Sequence, residues 1–154
     1  MIRFATTQDI EQVNIIRKEV NDLHIKSRPD LFKPGFSTEI REYVKCYLNS
    51  DKKFLIVCEE NNLICSYAMV DLIIKPETPY MFERKHLEIN EIGTLKSENG
   101  KGYGKQIIQK VKELAKELGI HRIELNMWSF NIDALKFYEK NGFDTYRLYL
   151  EKFC

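Results

Sequence analysis

Cysteine is scarce and scattered. The four thiols are Cys46, Cys58, Cys65 and Cys154, none of them in a CxxC pair. That removes a disulfide framework and a zinc-ligand spacing, and predicts no metal. An excess of either charge is missing too. Lys and Arg number 24 against 23 Asp and Glu, a net charge of +1, so neither nucleic acid nor a membrane surface is an expected partner. No apolar run is long enough to cross a bilayer, and residues 1–5 lead straight into a structured pattern rather than a signal peptide. These absences predict a cytoplasmic protein with reduced thiols. Repeats, linkers and low-complexity segments are lacking as well. The remaining balance, 44% hydrophobic and 31% charged, is that of one globular domain over residues 1–154.

Hydrophobic periodicity lays out the elements. Residues 2–5 read as a short strand. Thr6, three positions before Asp9, resembles a capping box, and Ile10, Val13, Ile16, Val20 and Leu23 follow at helical spacing. A loop over 24–36 carries two prolines and a glycine. Ser37 or Thr38 caps a second helix with Ile40, Val44, Tyr47 and Leu48 on its inner face. Strands over 54–58 and 63–75 form a hairpin through Asn61-Asn62, a weaker turn signal than Asn-Gly. A strand over 86–95 precedes a helix with a broad apolar stripe (Ile107, Ile108, Val111, Leu114, Ala115, Leu118), closed by Gly119. Residues 122–128 read as a strand, 131–140 as a helix ended by Asn141-Gly142, and 143–153 as a last strand. Cys58 and Cys65 fall in strand patterns, where packing is expected of them.

The order β-α-α-β-β-β-α-β-α-β predicts an α/β fold of mixed α+β kind. Its sheet is mixed and mostly antiparallel, twisted, of about six strands, with helices on both faces. The strands before and after the long lysine-rich helix form a right-handed parallel crossover.

The densest signal is ENGKGYGK at 98–105, with glycines at every second position between a strand and a helix start. A helix start offers unpaired N–H groups and a partial positive charge, and glycine has no β-carbon to hold an anion away. The amides of residues 100–105 therefore suit a pyrophosphate, with Lys101 and Lys105 adding charge at the rim; a plain tight turn fits the spacing equally. The owner is neither a Walker loop, which needs Gly-Lys-Ser or Gly-Lys-Thr, nor a GxGxxG dinucleotide fingerprint near the chain start.

Two segments together resemble the GCN5-related N-acetyltransferase (GNAT) family. Glu91-Ile-Gly-Thr-Leu95 with Asn99-Gly-Lys-Gly-Tyr-Gly104 is similar to its acetyl-CoA segment, R/Q-x-x-G-x-G/A. Asn131-Ile-Asp-Ala-Leu-Lys-Phe-Tyr-Glu-Lys-Asn-Gly-Phe143 is similar to its N-x-x-A-x-x-F-Y-x-x-x-G-F. The order of elements fits along nearly the whole chain. Asn99 departs from the family's Arg or Gln, leaving Lys101 or Lys105 to supply the cation. The chain also stops one strand after the last helix, leaving a sheet edge for a partner subunit in a homodimer.

The resemblance implies a splayed pair of parallel strands that binds acetyl-CoA, its arm entering the gap. Main-chain groups near Thr94 and Leu95 would hold the thioester and arm. Asn99, Gly100, Lys101, Gly102, Tyr103, Gly104 and Lys105 would bind the diphosphate, with Asn131 both capping its helix and contacting the cofactor. Tyr138 matches the family's proton donor to the thiolate, against packing beside Phe137. Glu91 is the candidate base, against a solvated strand carboxylate; burial there would raise its pKa. Glu88 differs from Glu91 by an odd number of residues, so their relative faces depend on a bulge. Gly93 marks either a bulge or a close approach, or crowding by a neighbouring side chain. His86, alone at a strand start, is expected at the surface. Arg28, Asp30 and Phe32 in the loop between the first two helices either bind the acceptor or pin the loop through an ion pair. The implied reaction is acetyl transfer from acetyl-CoA to a primary amine of a small molecule, peptide or protein, by direct attack in a ternary complex. A non-catalytic acyl-CoA-binding module and a nucleotide-binding domain are the competing readings.

Overall fold

The computed structural model describes residues 1–154. Five strands form one sheet in the order β1 (Ile2–Phe4), β2 (Lys53–Glu60), β3 (Leu63–Lys75), β4 (Arg84–Thr94) and β5 (Ile123–Leu125). The first four pair antiparallel, and β4 with β5 pairs parallel. Four α-helices complete the chain: α1 (Ile10–Ser27), α2 (Thr38–Tyr43), α3 (Tyr103–Glu117) and α4 (Ile132–Lys140).

Side-chain alternation in β2 and β3 divides the core in two. Ile56, Cys58, Ala68 and Val70 face α3, which buries Ile107, Ile108, Val111, Leu114 and Ala115 against them. Leu55, Val57, Tyr67 and Met69 face α1, which contributes Ile10, Val13 and Ile16. Helices thus cover both faces, as the pattern predicts. Burying each large aliphatic side chain stabilises by about 1.5–3 kcal/mol, so both faces are anchored. Cys58 and Cys65 are buried and unpaired.

The Asn61-Asn62 turn adopts positive φ at both residues, 51° and 64°, the condition for the tight hairpin whose twist matches its strands. Two expectations need correction. The segment over 143–153 is not a strand: beyond Phe143 no backbone group bonds to another, so the sheet has five strands. The strand expected over 122–128 pairs only at Ile123–Leu125. Its later side chains leave the sheet for an aromatic cluster described below.

At the chain start Asp9 is 5% exposed. Its carboxylate accepts from Arg3 Nη1 at 2.7 Å and Nη2 at 2.9 Å, and from the Thr6 N–H at 2.7 Å. Arg3 above all, with Thr6, holds its pKa near 2 against the usual 3.8. A depressed carboxyl contributes stability above its unfolded value and loses it as pH falls through the folded one. That contribution, about 2 kcal/mol at neutral pH, should vanish between pH 4 and pH 2. Urea melts of the wild type and Asp9→Asn should differ at pH 7 and converge near pH 2. A gap that persists in acid would contradict this.

Candidate active site

The splay arises where pairing stops. Leu87, Glu88 and Ile89 pair with Ile123, Glu124 and Leu125, after which β4 continues to Thr94 while β5 ends. Just past that point the β3–β4 register shifts: Met69 faces Glu91 while Val70 faces Ile89, so Asn90 is an extra residue. This bulge puts Glu88 and Glu91 on the same face, that of α1. The Asn90 side chain donates from Nδ2 to the Tyr47 hydroxyl at 2.8 Å. Gly93, three residues on, is not bulged. A β-carbon there would lie 2.9 Å from Val20 Cγ2, 3.0 Å from Tyr67 Cε1 and 3.1 Å from Ile16 Cγ2. Crowding by neighbouring side chains, α1 pressed on β4, accounts for the glycine.

At the upper end of β4 the glycine loop turns into α3. Gly100 and Gly102 take φ of 81° and 87°, a conformation that favours glycine. None of the six N–H groups from Gly100 to Lys105 has an acceptor in the protein; the first helical bond near the turn is Gln106 N–H to Gly102 O at 3.2 Å. They form an open row of donors at the positive end of a 15-residue helix. A β-carbon on Gly104 would sit 3.2 Å from Phe137 Cζ and 3.6 Å from Thr94 Oγ1, so loop, α4 and strand end meet there. The rim charges differ. Lys101 pairs with Glu98 at 2.8 Å, which raises its pKa, while Lys105 has no ion-pair partner. Asn99 is exposed. The N–H of Leu95 is donated to Cys65 O at 2.8 Å, and its carbonyl accepts from Glu98 N–H. Thr94 Oγ1 lies 3.0 Å from Ser66 Oγ.

Asn131 caps α4, its side chain accepting from Ala134 N–H at 3.2 Å. The cap places Tyr138 one face inward, 9% exposed, edge-on to Phe137 at 5.3 Å and Phe143 at 5.7 Å. Its hydroxyl bonds to no protein group, and burial pushes its pKa up to about 12.

Glu91 is not isolated. Arg17, only 4% exposed, donates to it from Nε at 2.8 Å and from Nη2 at 3.1 Å, and the Tyr67 hydroxyl donates at 3.1 Å. Arg17 also donates to Asn14 Oδ1 and Ile40 O, tying α1, α2 and β4 together. Burial alone would lower the Arg17 pKa; Glu91 outweighs it, and the net shift is upward. Nothing local in the sequence marked Arg17 or Tyr67, which lie 74 and 24 positions from Glu91.

Lower on the same face a row of charges crosses the sheet in register: Lys53, Asp71, Glu88 and Glu124 on four neighbouring strands. Like charges side by side repel, and cations offset them. Lys53 reaches Asp71 at 3.4 Å and Arg122 donates to Glu124 at 2.9 Å. His86 Nε2 contacts Glu88 at 3.2 Å and Glu124 at 2.9 Å. His86 is completely buried, not at the surface as expected; the two carboxylates supply partners for its Nε2, while its Nδ1 is buried without one.

On the acceptor side, Arg28 donates to both Asp30 and Glu151, at 2.7–3.1 Å. It thereby ties the loop after α1 to the C-terminal segment, and its guanidinium lies over the Trp128 ring at 5.8 Å. Phe32 packs between His24 at 5.2 Å and Trp128 at 5.3 Å, with Phe130 stacked behind Trp128 at 6.3 Å. The sequence reading singled out Phe32 but missed Trp128 and Phe130 as its partners.

The comparisons with known proteins converge on one family. A model described as "Acetyltransferase (GNAT) family" matches residues 17–143. The chain is 30% identical over 78 residues to the uncharacterized N-acetyltransferase YycN of Bacillus subtilis (strain 168), covering 51% of this chain and 47% of that protein. It is 37% identical over 71 residues to YxbD of the same organism, covering 46% and 43%. It thus spans about half the length of the curated relatives it matches. A mutant of the BH1408 protein from Bacillus halodurans has a similar structure, with a TM-score of 0.95 at 27% identity over 100% of this chain and 99% of that one. Aminoglycoside N-acetyltransferase AAC(6')-Iy in complex with CoA shares the fold, with a TM-score of 0.76 at 16% identity over 100% and 95%. A mixed sheet that opens between two parallel strands, beside a row of free loop amides, and a family match over most of its length together place this chain in the GNAT acetyltransferase family.

Proposed function

We propose that the chain transfers an acetyl group from acetyl-CoA to a primary amine of a small molecule or peptide, by direct attack in a ternary complex. The observation that carries this reading is the run of N–H groups from Gly100 to Lys105 without protein acceptors, set beside the opening between β4 and β5. Those amides, with Lys105, hold the diphosphate. Thr94 and Leu95 border the arm, Leu95 through its carbonyl since its N–H is committed. Asn131 sets α4, and Tyr138 donates to the sulfur as the C–S bond breaks.

Glu91 receives the amine. A carboxylate offers about four acceptor sites; Arg17 fills two and Tyr67 a third, leaving one for an amine N–H or for the water that carries its proton away. An amine of ordinary pKa, about 10.4, arrives as a cation, and the carboxylate row of Asp71, Glu88 and Glu124 draws it to this face. Arg28 and Asp30 pin the loop, and Phe32 with Trp128 forms the acceptor wall. Nucleic acid and membranes are not partners in this reading, and no metal takes part.

Calorimetry with CoA, acetyl-CoA and NAD tests the binding half. CoA and acetyl-CoA should bind, NAD should not, and Gly102→Val should weaken CoA by at least about 10-fold, because a branched residue is strained at φ 87°. Thiol release over a panel of amines and peptides tests the chemical half. CoA binding without acetylation of any amine would leave the non-catalytic reading in its place.

A further inference from the structure

The end of the sheet opposite the glycine loop is basic. There β4 begins at Arg84, and the chain enters β5 from Gly119 through Arg122. A cavity of about 550 Å³ opens at these strand starts. Arg84, Lys85, His121 and Arg122 line it, and Glu83 is the one carboxylate among its lining residues. A net charge of +1 for the whole chain conceals this local excess.

The cations around the cavity are short of partners. The Arg84 Nε is buried and bonds to nothing. Its Nη1 reaches only the Met81 sulfur, at 3.8 Å, and a thioether is a weak acceptor. No oxygen of the protein accepts from this guanidinium, and a buried donor left unmet calls for an explanation. Arg122 commits its Nε to Glu124 at 2.9 Å and leaves both terminal nitrogens unbonded. Lys85 comes no nearer to Glu83 than 4.0 Å. Nor do these side chains cap α3. Gly119 N–H on Lys116 O at 3.1 Å and Ile120 N–H on Ala115 O at 2.8 Å close that helix with its own backbone. Alternation puts the two arginines on one face. Glu88 and Glu124 stand opposite each other, and each arginine lies an even number of residues before the glutamate of its strand.

We propose that this cavity binds the phosphate group of a small anion, held between Arg84 of β4 and Arg122 of β5. A guanidinium takes an oxyanion through two parallel N–H bonds, and the Nε edge of Arg84 is the one left waiting. A phosphate offers three acceptor oxygens that are not confined to one plane, so it can meet both forks. A carboxylate has only two oxygens, in one plane. Lys85 and His121 stand at the rim. The volume falls in the range of small-molecule sites and leaves room for whatever carries the phosphate. An ion held there ties β4 to β5 at the closed end of the strand pair whose other end opens into the candidate active site.

Calorimetry and thermal melts in phosphate-free buffer test the assignment, with sodium chloride of equal ionic strength as control. Inorganic phosphate should bind the wild type and raise its melting temperature. Arg84→Met should weaken that binding by about 10-fold or more. Without phosphate, Arg84→Met should melt no lower than the wild type, because the guanidinium has no oxygen partner to orphan. That second comparison separates a ligand-binding arginine from one that merely supports the fold. Gly102→Val should keep the response, since the glycine loop lies at the other end of the sheet. Glycerol phosphate binding more tightly than the free ion assigns the cavity to a phosphorylated small molecule, and the reverse order assigns it to phosphate itself. A wild type that responds no more to phosphate than to chloride overturns the proposal. So does a response that survives Arg84→Met or disappears in Gly102→Val, and so does a loss of stability in Arg84→Met without phosphate. Binding and melting are the readouts, so the result is independent of acetyl transfer.

Discussion

Tyr138→Phe should lower turnover by about 10²–10⁴-fold while acetyl-CoA affinity stays within a few-fold of wild type. The ring position is fixed by packing: Tyr138 is 9% exposed and lies edge-on to Phe137 and Phe143, and phenylalanine preserves those contacts. Only the hydroxyl is lost. It has no bond to the protein, so its removal orphans no partner and the fold should tolerate the change. Burial pushes the phenol up to about 12, so it remains a neutral donor around neutral pH. A donor that strengthens its bond only as the thiolate develops stabilises the transition state more than the ground state, which is why the loss should fall on kcat. Steady-state kinetics at saturating acetyl-CoA, with calorimetry of CoA binding, checks both halves. Unchanged turnover would take Tyr138 out of the mechanism.

Arg17→Met should cost about 3–5 kcal/mol of stability, the range for breaking one side of a buried ion pair, and should lie toward the lower end because the Glu91 side chain is 31% exposed. At ~2–4 °C per kcal/mol for a chain near 150 residues, the melting temperature should drop by roughly 10 °C. The loss has two sources. Glu91 keeps only Tyr67 as partner, and Asn14 Oδ1 and Ile40 O lose their donor. Adding Glu91→Gln to Arg17→Met should cost less than the two single changes combined, since the charge stranded by the first is removed by the second. Strict additivity in thermal melts would mean that Arg17 and Glu91 do not act as a pair. Acetylation should fall in Arg17→Met at temperatures where it is fully folded, because Glu91 is then free to rotate away from the amine.

Much of this site could be read from local sequence because its parts are set by short-range rules. Glycine at 100 and 102 is demanded by left-handed backbone, Asn131 by an N-cap, and Tyr138 follows about two helical turns after that cap. The two helical faces and both core clusters follow from periodicity. What eluded the sequence depends on partners. Residues 143–153 have a strand's side chains, but a strand exists only when another edge accepts its hydrogen bonds, and no edge in this chain does. Residues 126–128 continue the β5 pattern, yet pairing ends at Leu125 and Trp128 packs instead against Phe32 and Phe130. His86 has no burial signal of its own; Glu88 and Glu124 make its interior position tolerable. Arg17 was one more helix cation until β4 brought Glu91 to it from 74 positions away. Gly93 stands out within a strand, but only the fold shows that α1 presses against it.

The extra residue at Asn90 carries a cost for evolution. Every side chain of β4 before it keeps its proper side of the sheet only because one position is spent without a counterpart on β3. Deleting that position would turn Leu87 and Ile89 out of the interior and Glu88 into it, so the strand can vary by substitution but not by a single-codon change in length. Lineages descended from this chain should therefore conserve the spacing between His86 and Glu91 even where they replace the residues themselves.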